Sequence, residues 1–242
     1  SAEAQLPVWS DYLSLPPDQR PGSRAEAAAV ALLNALQTKV LLSDLPSVFS
    51  YALLDRTGTN VMDTYQPDMG KDESDRSYFK VALRLHAGWP YVSPVEFSPE
   101  TQQSYLYFSS PVVNPAQEVI GVLRVSYNAS VLQNQFIVKN TGLIGPGSLA
   151  ILLDENHLQL GHGAASDQVY KTVVPLSPAR VEALRAAYRL PARPVSELST
   201  HLPDLEQALV NAHSQRYFTA HLAAAGDELN SAAIVPLKRQ PW

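Results

Sequence analysis

The sequence contains no cysteine, which excludes disulfides, thiolate metal sites and cysteine nucleophiles. That fits an oxidising compartment, although many cytosolic proteins also lack the residue. Charged residues are sparse, 17% of 242, and none form a basic run. With a formal net charge of −5, a nucleic-acid surface is not expected. No apolar window reaches the length of a membrane span, and no signal-peptide pattern opens the chain. Catalytic signatures are missing too. The six histidines, at 86, 157, 162, 201, 213 and 221, form no HExxH, and there is no GxSxG elbow, GxGxxG or P-loop. His157 and His162 beside Asp154 come nearest to a metal-ligand group, but without clear ligand spacing. The chain is therefore read as a non-enzyme, with no cofactor and no metal.

What is present suits a packed protein. Apolar residues make up 45% of a length sufficient for one large domain or two ordinary ones. Residues 1–22, with PP and RPG, read as a helical start broken by a loop. Ser23 and Glu26 form a capping box, and Ala29, Leu33, Leu36 and Val40 make one apolar stripe on the long helix that follows. Pro46 ends it. Val48–Leu54 and Asn60–Tyr65 read as a hairpin, Gln66–Glu73 as an irregular lid-like loop, and 74–85 as a helix. Strands are expected near 90–98, 103–113 and 119–129, then a short helix over Val131–Val138. From Leu149 the pattern restarts more weakly. Strands at 149–153 and 157–161 precede helices capped by Ser177 and starting near Asp204, and strands near 216–223 and 229–237 end the chain. The fold class is α+β: a long N-terminal helix, then two PAS-like modules, each a mainly antiparallel sheet flanked by helices.

The stretch Lys71–Ala129 carries the candidate site. Ser74 or Asp75 is expected to cap the helix, with Arg76, Tyr78 and Phe79 in its first turn. A cation and aromatic rings at a weakly positive helix start suit a small anionic or zwitterionic ligand. Either Arg76 faces that ligand or it pairs with Asp72, Glu73 or Asp75. Tyr78 is the ring expected to reach the ligand, while Phe79 reads as core. Tyr91 and Ser93 alternate onto one strand face, as do Tyr105, Tyr107 and Ser109 on the next. Tyr105 reads best as a cross-strand aromatic partner. Arg124 shares a face with Ser126; it either adds a second positive group or sits solvated near the strand end.

The order of FSYALLDRTGTNV, DESDRSYF, YVSPV, SSPVV and GVLRVSYNAS resembles the membrane-distal half of a double Cache (PDC, PAS-like) sensor domain. The resemblance implies a stalk over 1–45, a ligand-binding module over 46–140 and a smaller membrane-proximal module over 141–242. It implies an extracytoplasmic ligand-binding part of a bacterial receptor, a sensor histidine kinase first, with a cyclase or chemoreceptor as other outputs. In such a receptor, membrane spans would flank this portion, and a homodimer is a further expectation. The arginine equivalent to Arg76 tends to hold a ligand carboxylate. The position that carries an aspartate in amino-acid binders, and often a lysine in dicarboxylate binders, falls on or beside Ser126. With neither charge there, an organic acid is favoured over an amino acid, whose ammonium would lack a counter-charge. The expected ligand-binding set is Arg76, Tyr78, Tyr91, Ser93, Tyr107, Ser109 and Ser126. The competing reading is a ligand-independent dimerisation or interaction module.

Overall fold

The computed structural model describes residues 6–42, 47–86, 89–99, 101–141, 145, 147–222 and 228–237. The chain divides into two compact units, each drawn from two stretches: Ser1–Ser93 with Tyr105–Asn128, and Pro94–Ser104 with Ala129–Trp242.

In the first unit α1 (Pro7–Ser14) and α2 (Arg24–Leu41) lead into the hairpin β1 (Val48–Asp55) and β2 (Asn60–Asp63). A 3-10 turn at Gln66–Asp68 precedes α3 (Ser77–Ala82) and β3 (Tyr91–Val92). The short β4 (Glu96–Phe97) belongs to the second unit, and the long strands β5 (Ser104–Val113) and β6 (Val119–Asn128) complete the first. The strand expected over 90–98 is two short pieces, with Pro94, which has no N–H to give a ladder, between them.

The capping box forms: the Ser23 hydroxyl accepts from the Glu26 amide at 3.0 Å, and the Glu26 carboxylate accepts from the Gly22 amide at 2.6 Å. Pro46, expected to end the long helix, lies outside the described residues. Of the predicted stripe, Ala29, Leu33 and Leu36 are buried, packed with Trp9, Tyr12 and Leu13 of α1 against Leu53, Val112 and Leu123 of the sheet. Leu33 and Leu36 thus belong to the unit's own core, while Val30 and Leu41 of α2 and its C-cap Leu42 are exposed.

The sheet runs β2-β1-β6-β5-β3 with every neighbour antiparallel. Its register places Asp63, Ala52, Arg124, Ser109 and Tyr91 opposite one another on successive strands. The adjacent row holds Ser50, Ser126 and Tyr107. Side chains alternate between faces along a strand, so these rows share one face. Leu53 and Leu123 face the other way, onto α1 and α2.

In the second unit a π-helical turn, Leu132–Ile137, runs into α4 (Val138–Asn140). Strands β7 (Ile151–Leu153) and β8 (Gln159–His162) form one antiparallel hairpin; β9 (Tyr217–His221) and β10 (Leu229–Ala233) form another. Between them lie α5 (Pro178–Ala186), capped by the Ser177 hydroxyl, and α6 (Pro203–Val210). Val173, Leu202, Leu205, Ala220 and Leu222 make its core.

One local plan recurs in both units. Asp55 Oδ1 accepts from the amides of Thr57 and Thr59, as Asp154 Oδ1 does from those of Asn156 and Leu158. Asn60 N donates to Lys71 O, and Gln159 N to Lys171 O, each at 2.9 Å. An aspartate turn, a short strand and a 3-10 turn folded back on it are therefore built twice.

Gly121 in β6 stands where a Cβ would collide with the Leu54 carbonyl oxygen and meet Leu13 Cδ1 at 2.5 Å. A backbone oxygen in a ladder cannot give way. Gly121→Ala is expected to lose at least about 2 kcal/mol in urea unfolding; a neutral result would contradict the close packing of α1 on this sheet.

Candidate functional site

The face away from α1 and α2 carries a charged network that the register assembles. Arg124, in mid-strand, is only 3% exposed. Its Nη2 reaches across the small Ala52 to Asp63 Oδ2 at 2.7 Å. A longer side chain at Ala52, itself fully buried, would stand in that path. The same Nη2 lies 3.4 Å from Glu73 Oε1, and Arg124 Nε lies 3.4 Å from Glu73 Oε2. Tyr78 donates its hydroxyl proton to Glu73 Oε2 at 2.8 Å. The Asn60 amide donates to Glu73 Oε1 at 3.0 Å and to Asp63 Oδ2 at 2.9 Å. Burial pushes the Asp63 carboxyl above its ordinary value, against the opposing pull of Arg124 and of hydrogen bonds from Tyr65 and Asn60. Burial also lifts the Tyr78 hydroxyl well above the usual tyrosine range. For Arg124, burial favours the neutral form, but the charge of Glu73, then Tyr78 and Asp63, outweighs it and holds the guanidinium above its ordinary value.

Aromatic rings line this network. Tyr78 and Tyr107 pack with centroids 4.4 Å apart, and Tyr105 lies 6.1 Å from Tyr107. Tyr105 also packs on Phe49 of β1 at 5.0 Å, across β6; its partner on the adjacent strand is Asn128, so its aromatic contact is not the cross-strand pair expected of it. Both arginines lie over the same two rings. The Arg76 guanidinium carbon is 5.4 Å from the Tyr78 centroid and 5.8 Å from that of Tyr107. The corresponding Arg124 distances are 5.8 and 5.6 Å. Each arrangement is within cation–π range.

Arg76 is half-buried and stands at the N-cap of α3, with extended backbone and no side-chain capping bond. The expected cap at Ser74 or Asp75 is therefore corrected. Asp72 Oδ1 accepts from Ser74 N at 2.9 Å, and Arg76 N donates to Glu73 O at 3.1 Å. These bonds close turns before the helix begins and delay its start to Ser77. At six residues α3 has little end charge to offer, so the guanidinium and the rings, not a helix terminus, give this face its character. Tyr91 is half-buried beside the tyrosine cluster. The hydroxyls of Ser93, Ser109 and Ser126 are engaged within the protein. Ser93 Oγ accepts from Tyr107 N at 2.9 Å, Ser109 Oγ donates to Tyr78 O at 2.8 Å, and Ser126 Oγ lies 2.9 Å from Ser50 Oγ. Structure thus gathers all seven expected residues on or beside one face. It adds Ser50, Asn60, Asp63 and Glu73, which the sequence reading left out of the site. It also takes Arg124 out of solvent. The polar Asn60 and Asp63 bracketing Val61-Met62 were the available signal.

Gln66–Glu73 is less loose than its composition suggests. It folds back on β2 through Gly70 N to Asn60 O at 2.8 Å and Asn60 N to Lys71 O at 2.9 Å. Carboxylate oxygens of Asp63, Asp68 and Glu73 lie within 4.8 Å of one another, a spacing open to a cation. Arg124 and Asn60 already neutralise and bond two of the three, and Lys71 Nζ is 2.8 Å from Asp68. A cavity of about 200 Å³ borders the opposite face, lined by residues including Tyr51, Phe108, Leu123, Val125 and Tyr127. Of the seven expected residues, Ser109 alone touches it.

No family model matches the chain, and no curated protein matches it. Among solved structures, the sensor domain of histidine kinase DctB from V. cholerae superposes with a TM-score of 0.63 at 16% identity, over 89% of this chain and 76% of that one. The ligand-binding domain of the Campylobacter jejuni chemoreceptor Tlp3, solved with 4-methylisoleucine, gives 0.54 at 15% identity, over 96% and 75%. The fold is that of bacterial sensor domains. It agrees with the double Cache resemblance read from the sequence. Within this sensor fold the network described above lies on the sheet of the first unit.

Removing Arg124 would leave Asp63 buried with its principal counter-charge gone. Arg124→Leu is expected to cost about 3–5 kcal/mol at neutral pH. The pH dependence has a defined sign. Asp63 already titrates above 3.8 in the folded state, so its ionisation there opposes folding, and the cost falls as pH drops through the folded value toward 3.8. Loss of Arg124 enlarges that cost. Urea unfolding should show the deficit of the variant greatest at neutral pH and shrinking as pH falls toward the ordinary carboxylate range. A deficit independent of pH would contradict the Arg124–Asp63 assignment.

Proposed function

We propose that this chain is the extracytoplasmic sensing part of a bacterial signal-transduction receptor. Its first unit binds a small carboxylate-type or other polar metabolite, and its second is the membrane-proximal module. A sensor histidine kinase is the favoured output, and a homodimer within a membrane-anchored receptor the favoured assembly. The observation that carries this reading is Arg76: its guanidinium lies across the faces of Tyr78 and Tyr107 on the sheet of a sensor-domain fold. A planar fork beside phenol rings suits bidentate capture of a carboxylate. The mechanism is differential binding. A ligand that prefers one packing of α3 on its sheet shifts that equilibrium, and the sheet passes the change to α2 through their shared core.

An organic acid is favoured over an amino acid such as the Tlp3 ligand. Ser126 carries no charge, and Asp63 and Glu73, the acidic groups nearest on this face, both answer to Arg124. An incoming ammonium would have to compete with that guanidinium. The same self-neutralised network supports a second reading, a dimerisation module whose site is vestigial. Its surface would be the exposed apolar residues Leu41 and Leu42 at the C-terminal end of α2, not the buried Leu33 and Leu36.

Thermal-shift measurements against organic acids, amino acids and amines separate the two. The sensing reading expects stabilisation by at least one organic acid, abolished in Arg76→Ala with the fold intact by circular dichroism. A flat panel, together with a dimer that dissociates when Leu41 and Leu42 become serine, would support the second reading and overturn the first.

A further inference from the structure

We infer that Glu73 is a built-in stand-in for the ligand's carboxylate: it fills a cradle made by Asn60, Tyr78 and Arg124, and the ligand binds by taking its place. The inference rests on the carboxylate-sensor reading above and deepens it, adding Arg124, which lies over the same two rings as Arg76, as a further contact for the ligand's carboxylate. The cradle is composed as a carboxylate receptor would be. A strand amide, a helix phenol and a sheet guanidinium, from β2, α3 and β6, converge on one carboxylate. All three donors are deeply buried, at 1%, 3% and 3% exposure.

The grip on Glu73 is incomplete, which makes it the replaceable partner. Arg124 holds Asp63 at 2.7 Å but approaches each Glu73 oxygen only to 3.4 Å. Charge-assisted bonds of this type usually close to about 2.7–2.9 Å. In consequence Arg124 Nε, buried and aimed at Glu73, makes no hydrogen bond. Glu73 cannot close that gap freely, because its backbone is pinned by its amide bond to Gly58 O at 2.9 Å and by Arg76 N on its own carbonyl. A carboxylate with no such tether can meet the Nε–Nη2 edge with two short bonds.

The exchange asks little of the fold. The Glu73 side chain turns outward, toward a segment where Asp72 and Asp75 are already exposed. One buried negative charge replaces another, so Arg124 is never left uncompensated. The incoming carboxylate also takes over the Tyr78 hydroxyl, which Glu73 holds in its absence. Tyr78 is tied to β5 through Ser109 and lies under both arginines, so occupancy is registered at α3 and the sheet together.

Two variants test this, with sodium acetate as the probe. In Glu73→Ala the cradle is vacant, and acetate should raise the thermal midpoint by at least about 3 °C over sodium chloride at equal ionic strength. Wild type should show no acetate-specific rise. Glu73→Gln keeps the side-chain shape and guards against a Glu73→Ala protein that does not fold. Organic acids that stabilise wild type should bind Glu73→Gln about tenfold more tightly by calorimetry, because the competing charge is gone. No acetate effect on folded Glu73→Ala, or unchanged or weaker acid binding to Glu73→Gln, overturns the inference. Acetate rescue with no organic acid bound by wild type or Glu73→Gln would support the cradle and overturn the sensing reading instead.

Discussion

A guanidinium buried in the middle of a β-strand constrains everything near it. Arg124 cannot be left uncompensated at 3% exposure, because an isolated buried charge costs several kcal/mol. The sheet answers with its register. Asp63 stands two strands away in the same row, and the residue between them is alanine, so the fork passes over it. Asn60 then bridges Asp63 to Glu73, and the fold-back of residues 66–73 onto β2 brings Glu73 into range. Tyr78 and Tyr107 cover the result. Each of these placements would lack a purpose without the cation at their centre.

The same network explains how this face can be polar and yet packed. Two guanidinium groups, Arg76 and Arg124, and two carboxylates, Asp63 and Glu73, gather around a pair of phenol rings. Their formal charges cancel. In the proposal above a ligand would compete with a group already bound, which would turn affinity into a difference between two carboxylates. Such an exchange would couple occupancy to structure, because Glu73 is also a partner of Tyr78 in α3.

Much of the local structure was legible in the sequence. Ser23 and Glu26 announced α2, the DRTG turn announced the first hairpin, and Ser177-Pro178 announced α5. These signals are short-range: a cap, a turn and an alternation each involve residues a few positions apart. The site was legible in part. Alternation placed Arg124 on the face of Ser126, but a reading of single strands suggested solvent around it. Its real partners lie 61 and 51 residues away in the chain, and only strand pairing reveals them. The start of α3 was misjudged for a related reason: Asp72 and Glu73 spend their bonds on turns that local propensity does not register.

A double-mutant cycle between Arg124 and Asp63, read by urea unfolding of Arg124→Met, Asp63→Asn and the pair, tests the central claim most directly. The account predicts a coupling of at least about 2 kcal/mol, the signature of a desolvated pair on which the site is built. A coupling below about 0.5 kcal/mol, the range of solvent-exposed pairs, would contradict it.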